Sequence, residues 1–298
     1  MNSKVLEEIT QLKNDDVHGA SVLSLNAINA LILAVSESQA GTVNDFVQEI
    51  KEVAEELTSA RPSITPITNY ANYFLHQIIT RSQNENNLEA LKGFAEIKGR
   101  ELFKSATKAV SKAVEYACGI IGDLDTIITC SYSSTVCRVL ELARQRETRF
   151  RVMVAESKFN DKSYGGITAE QLMKYQIPVE IIGDGQINLR ISKADKVLVG
   201  ADSITADGYL VNGKPTLLLA QAAKNKRIPF YVVCESAKFT IRGYVAKSTE
   251  PEPSFDRTPL TLVTGIITEK GTMQPNLVIA YIEEKANEMT HLSTSKGE

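Results

Sequence analysis

Histidine and cysteine are scarce: three and four residues in 298, with no Cys-x-x-Cys spacing, which leaves little material for a zinc site, and no metal is expected. Cys118, Cys130, Cys137 and Cys234 are scattered along the chain and read as reduced thiols of a cytoplasmic protein. The glycine signatures of nucleotide enzymes are missing too. Neither GxGxxG nor a phosphate loop ending in GKS or GKT follows any strand candidate, which argues against a dinucleotide dehydrogenase or a P-loop enzyme, and no cofactor is expected. No apolar run reaches membrane-spanning length and the N-terminus lacks an apolar targeting core, so the chain is expected to be soluble, with no membrane partner. Net charge is only −3 with both signs interspersed; without a basic stripe, direct nucleic-acid binding is disfavoured.

What is present divides into two textures. Residues 1 to about 120 carry apolar positions at helical spacing, first at Val5, Ile9 and Leu12, then across Ser21–Val35, Asn44–Leu57 and Asn87–Ala117. An irregular segment centred on Arg61 breaks the run, because Pro62 and Pro66 cannot continue a helix. After Gly119 and Gly122 short β-branched runs alternate with helical ones: strands at 125–129, 149–156, 178–182, 196–199, 229–233 and 262–268, with helices between them and after the last. That alternation predicts an α/β fold, a helical N-terminal domain (1–120) followed by a Rossmann-like, doubly wound parallel sheet domain (121–298).

Ligands of open parallel sheets bind at the carboxyl ends of the strands. Asp202 falls just past the 196–199 strand, and the Asn212-Gly213-Lys214-Pro215 turn follows closely. Ser131, Ser133 and Ser134 sit between the 125–129 strand and the next helix, whose first-turn amides suit a phosphate; the plainer alternative is that Ser133 or Ser134 only caps that helix. In the helical part, His18-Gly19-Ala20-Ser21 opens a long apolar helix, and Arg61 in its proline-bounded kink offers a guanidinium for bidentate anion contact. An N-cap serine and a solvated loop arginine are the structural alternatives for these two.

The order of these motifs resembles one family. HisGlyAlaSer at 18–21, SerAlaArgProSer at 59–63, ThrCysSerTyrSerSer at 129–134, AlaGluSer at 155–157 and ValGlyAlaAspSerIle at 199–204 are its first elements, followed by Asn212, ProPheTyrValValCysGluSerAlaLysPhe at 229–239 and PheAspArgThrPro at 255–259. It joins the alpha, beta and delta regulatory subunits of translation initiation factor two B to methylthioribose-1-phosphate isomerase and ribose-1,5-bisphosphate isomerase, and this chain is most similar to archaeal initiation-factor-two-B-like proteins. The resemblance implies a ligand pocket between a helical and a Rossmann-like domain, and assembly at least to a homodimer through the C-terminal domain. Its isomerases move a proton between C1 and C2 of an aldose phosphate with a cysteine in the 129–134 turn and an aspartate in the GlyAlaAsp turn.

Asp202 stands at that aspartate. The cysteine position is Ser131, while Cys130 stands where the isomerases carry histidine. A hydroxyl is a far weaker acid than a thiol, and successive residues leaving a strand point to opposite sides, so a one-residue shift would aim the Cys130 sulfur away from the pocket. His18 and Lys158 replace arginines of the isomerases, and Lys214 is displaced by one residue beside Pro215. The favoured reading is therefore a non-catalytic regulatory-type member binding a sugar phosphate or nucleotide monophosphate through His18, Gly19, Ala20, Ser21, Arg61, Ser133, Ser134, Lys158, Asp202, Asn212 and Lys214. Initiation factor two, through its alpha subunit, is the protein partner that the resemblance implies. The alternative is an isomerase converting ribose 1,5-bisphosphate to ribulose 1,5-bisphosphate, with Asp202 as acid/base and Cys130 or Ser131 as its partner.

Overall fold

The computed structural model describes residues 1–240 and 253–294, with side-chain surroundings given up to residue 285. Two compact units form, the first over Met1–Lys108 and the second beginning at Ala109. Sequence texture changes some twelve residues later, at about 120, because the helix that contains the division keeps its helical spacing to its end.

The first unit holds α1 (Ser3–Asn14), α2 (Ala20–Ser36), α3 (Val43–Ala60), α4 (Thr65–Ser82) and the first part of α5 (Leu88–Cys118). Phe46, Ile50, Val53, Ala54 and Leu57 make one buried stripe along α3, the i, i+3/i+4 pattern of a helix with a single core face. α2 is buried more broadly, at Leu23, Ala27, Ile28, Ala30, Leu31, Ala34 and Val35, as its nearly continuous apolar sequence requires. α3 stops at Arg61, the residue before Pro62, whose φ of −141° lies outside the helical region that a following proline disfavours. Pro66 then sits in the first turn of α4, where no N–H is missed, so it starts a helix as well as ending the run before it.

The second unit is built on β1 (Thr126–Thr129), α6 (Ser134–Gln145), β2 (Arg151–Ala155), the short pair β3 (Lys158–Phe159) and β4 (Lys162–Ser163), α7 (Tyr164–Met173), β5 (Val179–Ile182), α8 (Ile187–Arg190) and β6 (Lys196–Val199). After these come β7 (Ser203–Ile204), β8 (Tyr209–Gly213), α9 (Thr216–Lys226), β9 (Phe230–Val233), β10 (Phe255–Pro259), β11 (Gly265–Thr268), β12 (Gly271–Met273) and α10 (Pro275–Thr294). The seven-stranded sheet runs β12-β11-β9-β6-β1-β2-β5, parallel except for the β11–β12 pair. Numbering only its parallel strands gives 3-2-1-4-5-6, the doubly wound order.

Alternate strand residues feed two cores. Ile127, Val152, Val154, Leu198, Val233 and Ile267 meet the end of α5 with α6 and α7 on one face. Ile128, Met153, Val197, Val199, Val232 and Ile266 meet α8, α9 and α10 on the other. A three-stranded antiparallel sheet, β10-β8-β7, lies beyond β6 and pairs Asp256 with Asn212. The PheAspArgThrPro segment is thus a strand, held extended by its pairing with β8 rather than by an apolar period of its own. The polar stretch from Lys285 to Glu298, whose composition predicts fraying, is helical as far as Thr294, and residues 295–298 lie outside the described residues.

Candidate functional site

The strand order reverses between β1 and β6, and the turns leaving these two strands carry Ser131–Ser134 and Gly200–Asp202. At such a switch point the connections diverge to opposite faces and leave a crevice at the strand ends. Ser131 lies in the left-handed region, φ 60°, and both of its backbone groups are claimed: its N–H donates to Ser157 Oγ at 2.6 Å and its carbonyl accepts from Thr168 Oγ1 at 2.7 Å. Only its hydroxyl remains, making no hydrogen bond among the described residues and lying 2.2 Å from where a Cβ on Gly213 would stand. Ser133 caps α6, its Oγ accepting from Val136 N at 3.3 Å, and lies 2.4 Å from the corresponding point on Gly200. Both glycines are thus required by close approach of a serine. Ser134 is half-buried in the first turn of α6.

Cys130 does not share that mouth. It continues the Ile128 face of β1, is 2% exposed, and its Sγ lies 3.3 Å from Thr216 Oγ1. Burial pushes the thiol up to about 12, so no thiolate is available near neutrality. Thr216, fully buried, is a hub: its Oγ1 donates to Gly213 O at 2.7 Å and accepts from Asn212 Nδ2 at 2.8 Å. Asn212 Oδ1 is left on the other side, 4.0 Å from a Cβ placed on Gly200. Asp202, half-buried, donates its N–H to Val211 O at 2.9 Å, which ties the β6 exit to β8.

Lys158 and Lys214 are exposed at the rim. The Asp184 carboxylate accepts from Ser157 N at 2.8 Å and Lys158 N at 3.4 Å, fixing the turn after β2 that in turn holds Ser131. Asp256 on β10 accepts from Leu217 N at 3.1 Å, replacing the cap that Pro215 cannot supply to α9; its Oδ1 is buried with no hydrogen-bond partner among the described residues. Burial pushes this carboxyl up to about 6 against the pull of the Leu217 amide and Lys214. Past the end of β9, Glu235 and Lys238 form a buried pair at 3.8 Å, 1% and 3% exposed. Sequence reading singled out neither Asp184, Thr216, Glu235 nor Lys238 as site residues; a polar residue among apolar neighbours was the available signal for Lys238.

In the first unit, the residues expected to meet an anion gather around Asp15. Its carboxylate accepts from Val17 N at 3.0 Å, His18 N at 2.9 Å and pairs with His18 Nδ1 at 2.7 Å, while its carbonyl accepts from Arg61 Nη1 at 2.5 Å. Burial alone would raise the Asp15 pKa, but these His18 and Val17 bonds outweigh it and hold the carboxyl below its ordinary value. Gly19 is the N-cap of α2 and offers no side chain, and Ala20 and Ser21 are buried in its first turn. Among the described residues no cluster of three His, Cys, Asp or Glu lies within reach of one metal ion, and no helix is long and apolar enough to cross a membrane.

A helical region followed by a doubly wound sheet, with serine and aspartate turns at its switch point, defines an α/β protein with a candidate site at its strand ends. The chain belongs to the Initiation factor 2 subunit family, whose profile matches residues 16–252. It is 30% identical to ribose 1,5-bisphosphate isomerase of Thermococcus kodakarensis, over 95% of this chain and 94% of that one. It is 32% identical to a protein of Pyrococcus furiosus described as translation initiation factor eIF-2B subunit 2-like, over 91% and 97%. Among solved structures, translation initiation factor eIF-2B from Pyrococcus horikoshii superposes with a TM-score of 0.80 at 30% identity, covering 94% of this chain and 100% of that one.

Proposed function

We propose that the chain is a cytoplasmic, regulatory-type member of its family that binds a phosphorylated small molecule at the strand ends of β1 and β6 and does not turn it over. The burial of Cys130 carries this reading. Aldose–ketose isomerisation needs two groups that exchange protons with substrate near neutrality. Asp202 is one candidate; the thiol that would be the other is held protonated in the core, and the residue at the mouth is Ser131. A serine hydroxyl with no base bonded to it among the described residues is a hydrogen-bonding group, not a proton shuttle. Ser133, Ser134, Asn212, Lys158 and Lys214 supply hydroxyl, amide and ammonium contacts for such a ligand, and His18, Gly19, Ala20, Ser21 and Arg61 are anion-compatible groups of the first unit.

The second reading, ribose 1,5-bisphosphate isomerase, is favoured by the 30% identity to the Thermococcus kodakarensis enzyme and by the presence of Asp202. One assay separates the two: purified protein with ribose 1,5-bisphosphate, ribulose 1,5-bisphosphate followed with time, and Asp202→Asn alongside. Binding without product supports the regulatory reading; product formation abolished by Asp202→Asn overturns it in favour of the isomerase.

A further inference from the structure

Thr216 has one hydroxyl proton and three polar partners at close range. Gly213 O, an acceptor only, lies at 2.7 Å and takes that proton. Its oxygen must then meet donors from the other directions. The Asn212 amide atom at 2.8 Å is therefore Nδ2, and the Cys130 thiol at 3.3 Å points its hydrogen at Thr216. Were the amide turned over, Asn212 Oδ1 and Thr216 Oγ1 would face each other as acceptors with no proton between them. The network thus fixes an orientation that a lone asparagine would leave open.

The consequence reaches the crevice. With Nδ2 turned inward, Asn212 shows its carbonyl oxygen toward Gly200, on whose vacant Cβ position Ser133 Oγ also converges. That oxygen accepts no hydrogen bond among the described residues, and Asn212 as a whole is 6% exposed. An amide oxygen offers nothing to a phosphate oxygen, which is also an acceptor, but it suits a ligand hydroxyl. We propose that Thr216 is a specificity-determining positioning residue: it holds Asn212 carbonyl-outward, so that the site selects a polyol phosphate over phosphates on a hydroxyl-free chain. The inference rests on the ligand site proposed above and names the chemical class it takes.

Two probes of equal length test it by calorimetric titration, ribitol 1,5-bisphosphate and pentane-1,5-diol bisphosphate; neither has a carbonyl, so neither can isomerise. Wild type is expected to bind the ribitol compound about tenfold or more tightly, the worth of one well-formed hydrogen bond that would otherwise leave a buried acceptor unpaired. Thr216→Val is expected to remove that preference by weakening the ribitol compound alone, and Thr216→Ser, which keeps the hydroxyl, to restore it. Should Thr216→Val fail to fold, Asn212→Leu reads the same preference and is expected to lose it. Equal binding of both probes by wild type, or a preference surviving in Thr216→Val or Asn212→Leu, overturns the inference and leaves the ligand site standing. Absence of binding by either probe overturns the ligand site and the inference together.

Discussion

Asp256 is the residue whose ionisation most directly opposes its surroundings. Its pKa is raised from 3.8 to about 6, so the folded state holds its proton more tightly than the unfolded chain does. The stability this contributes is complete below about pH 4 and is lost as pH rises through about 6. Comparing wild type with Asp256→Asn, whose amide oxygen still accepts from Leu217, wild type is expected to lose ground steadily between pH 4 and pH 8. A difference in melting temperature that stays flat across that range would refute it. Asp15 behaves oppositely: its lowered pKa adds stability above its unfolded value, and this is lost only under stronger acid. Residue identities at the crevice were legible because serine, aspartate and asparagine stand at strand ends in the sequence. Their orientations were not, since the Thr216 hub joins Cys130, Asn212 and Gly213 across 86 residues and no local pattern reports it.

Among the elements, α7 is the one docked with least tolerance. A Cβ on Gly165 would stand 2.0 Å from Ala155 O, the last backbone carbonyl of β2, which cannot swing aside as a side chain does. On Gly213 the clash is with the Ser131 side chain. Gly165→Ala is therefore expected to cost about 3 kcal/mol or more, and Gly213→Ala about 1–3 kcal/mol, both read by urea denaturation. A Gly213→Ala penalty exceeding that of Gly165→Ala would contradict this account. The main strands and α6, α7 and α9 could be read from their apolar periods within a few residues. β7, β8 and β10 escaped because each owes its extension to pairing rather than to an apolar run, as Asp256 with Asn212 illustrates, and α4 was hidden by Pro66, which as easily begins a helix as breaks one.

For the whole molecule, the doubly wound order brings β1 and β6, some 70 residues apart, side by side. The candidate site is thus a property of the finished sheet: the alternation of strands and helices points to strand carboxyl ends, but which two strands flank the switch point is visible only in the sheet order. Self-assembly is a proposal drawn from the family resemblance: light scattering on the purified chain is expected to give at least a dimer, and a monomer at tens of micromolar would refute it. Contact with the alpha subunit of initiation factor two is expected in a pull-down, and its absence at the same concentration counts against that partnership.

All four thiols are free and buried, and all lie in the second unit: at the end of α5, after β1, in α6 and after β9. The chain therefore carries a chemical clock on one side only. A thiol reagent meets no surface cysteine among the described residues and reacts at the rate at which the sheet unit opens, while the helices of the first unit unfold and refold without leaving a mark. Labelling rate set against a global probe such as circular dichroism would time the two units separately in the native sequence, with no engineered reporter.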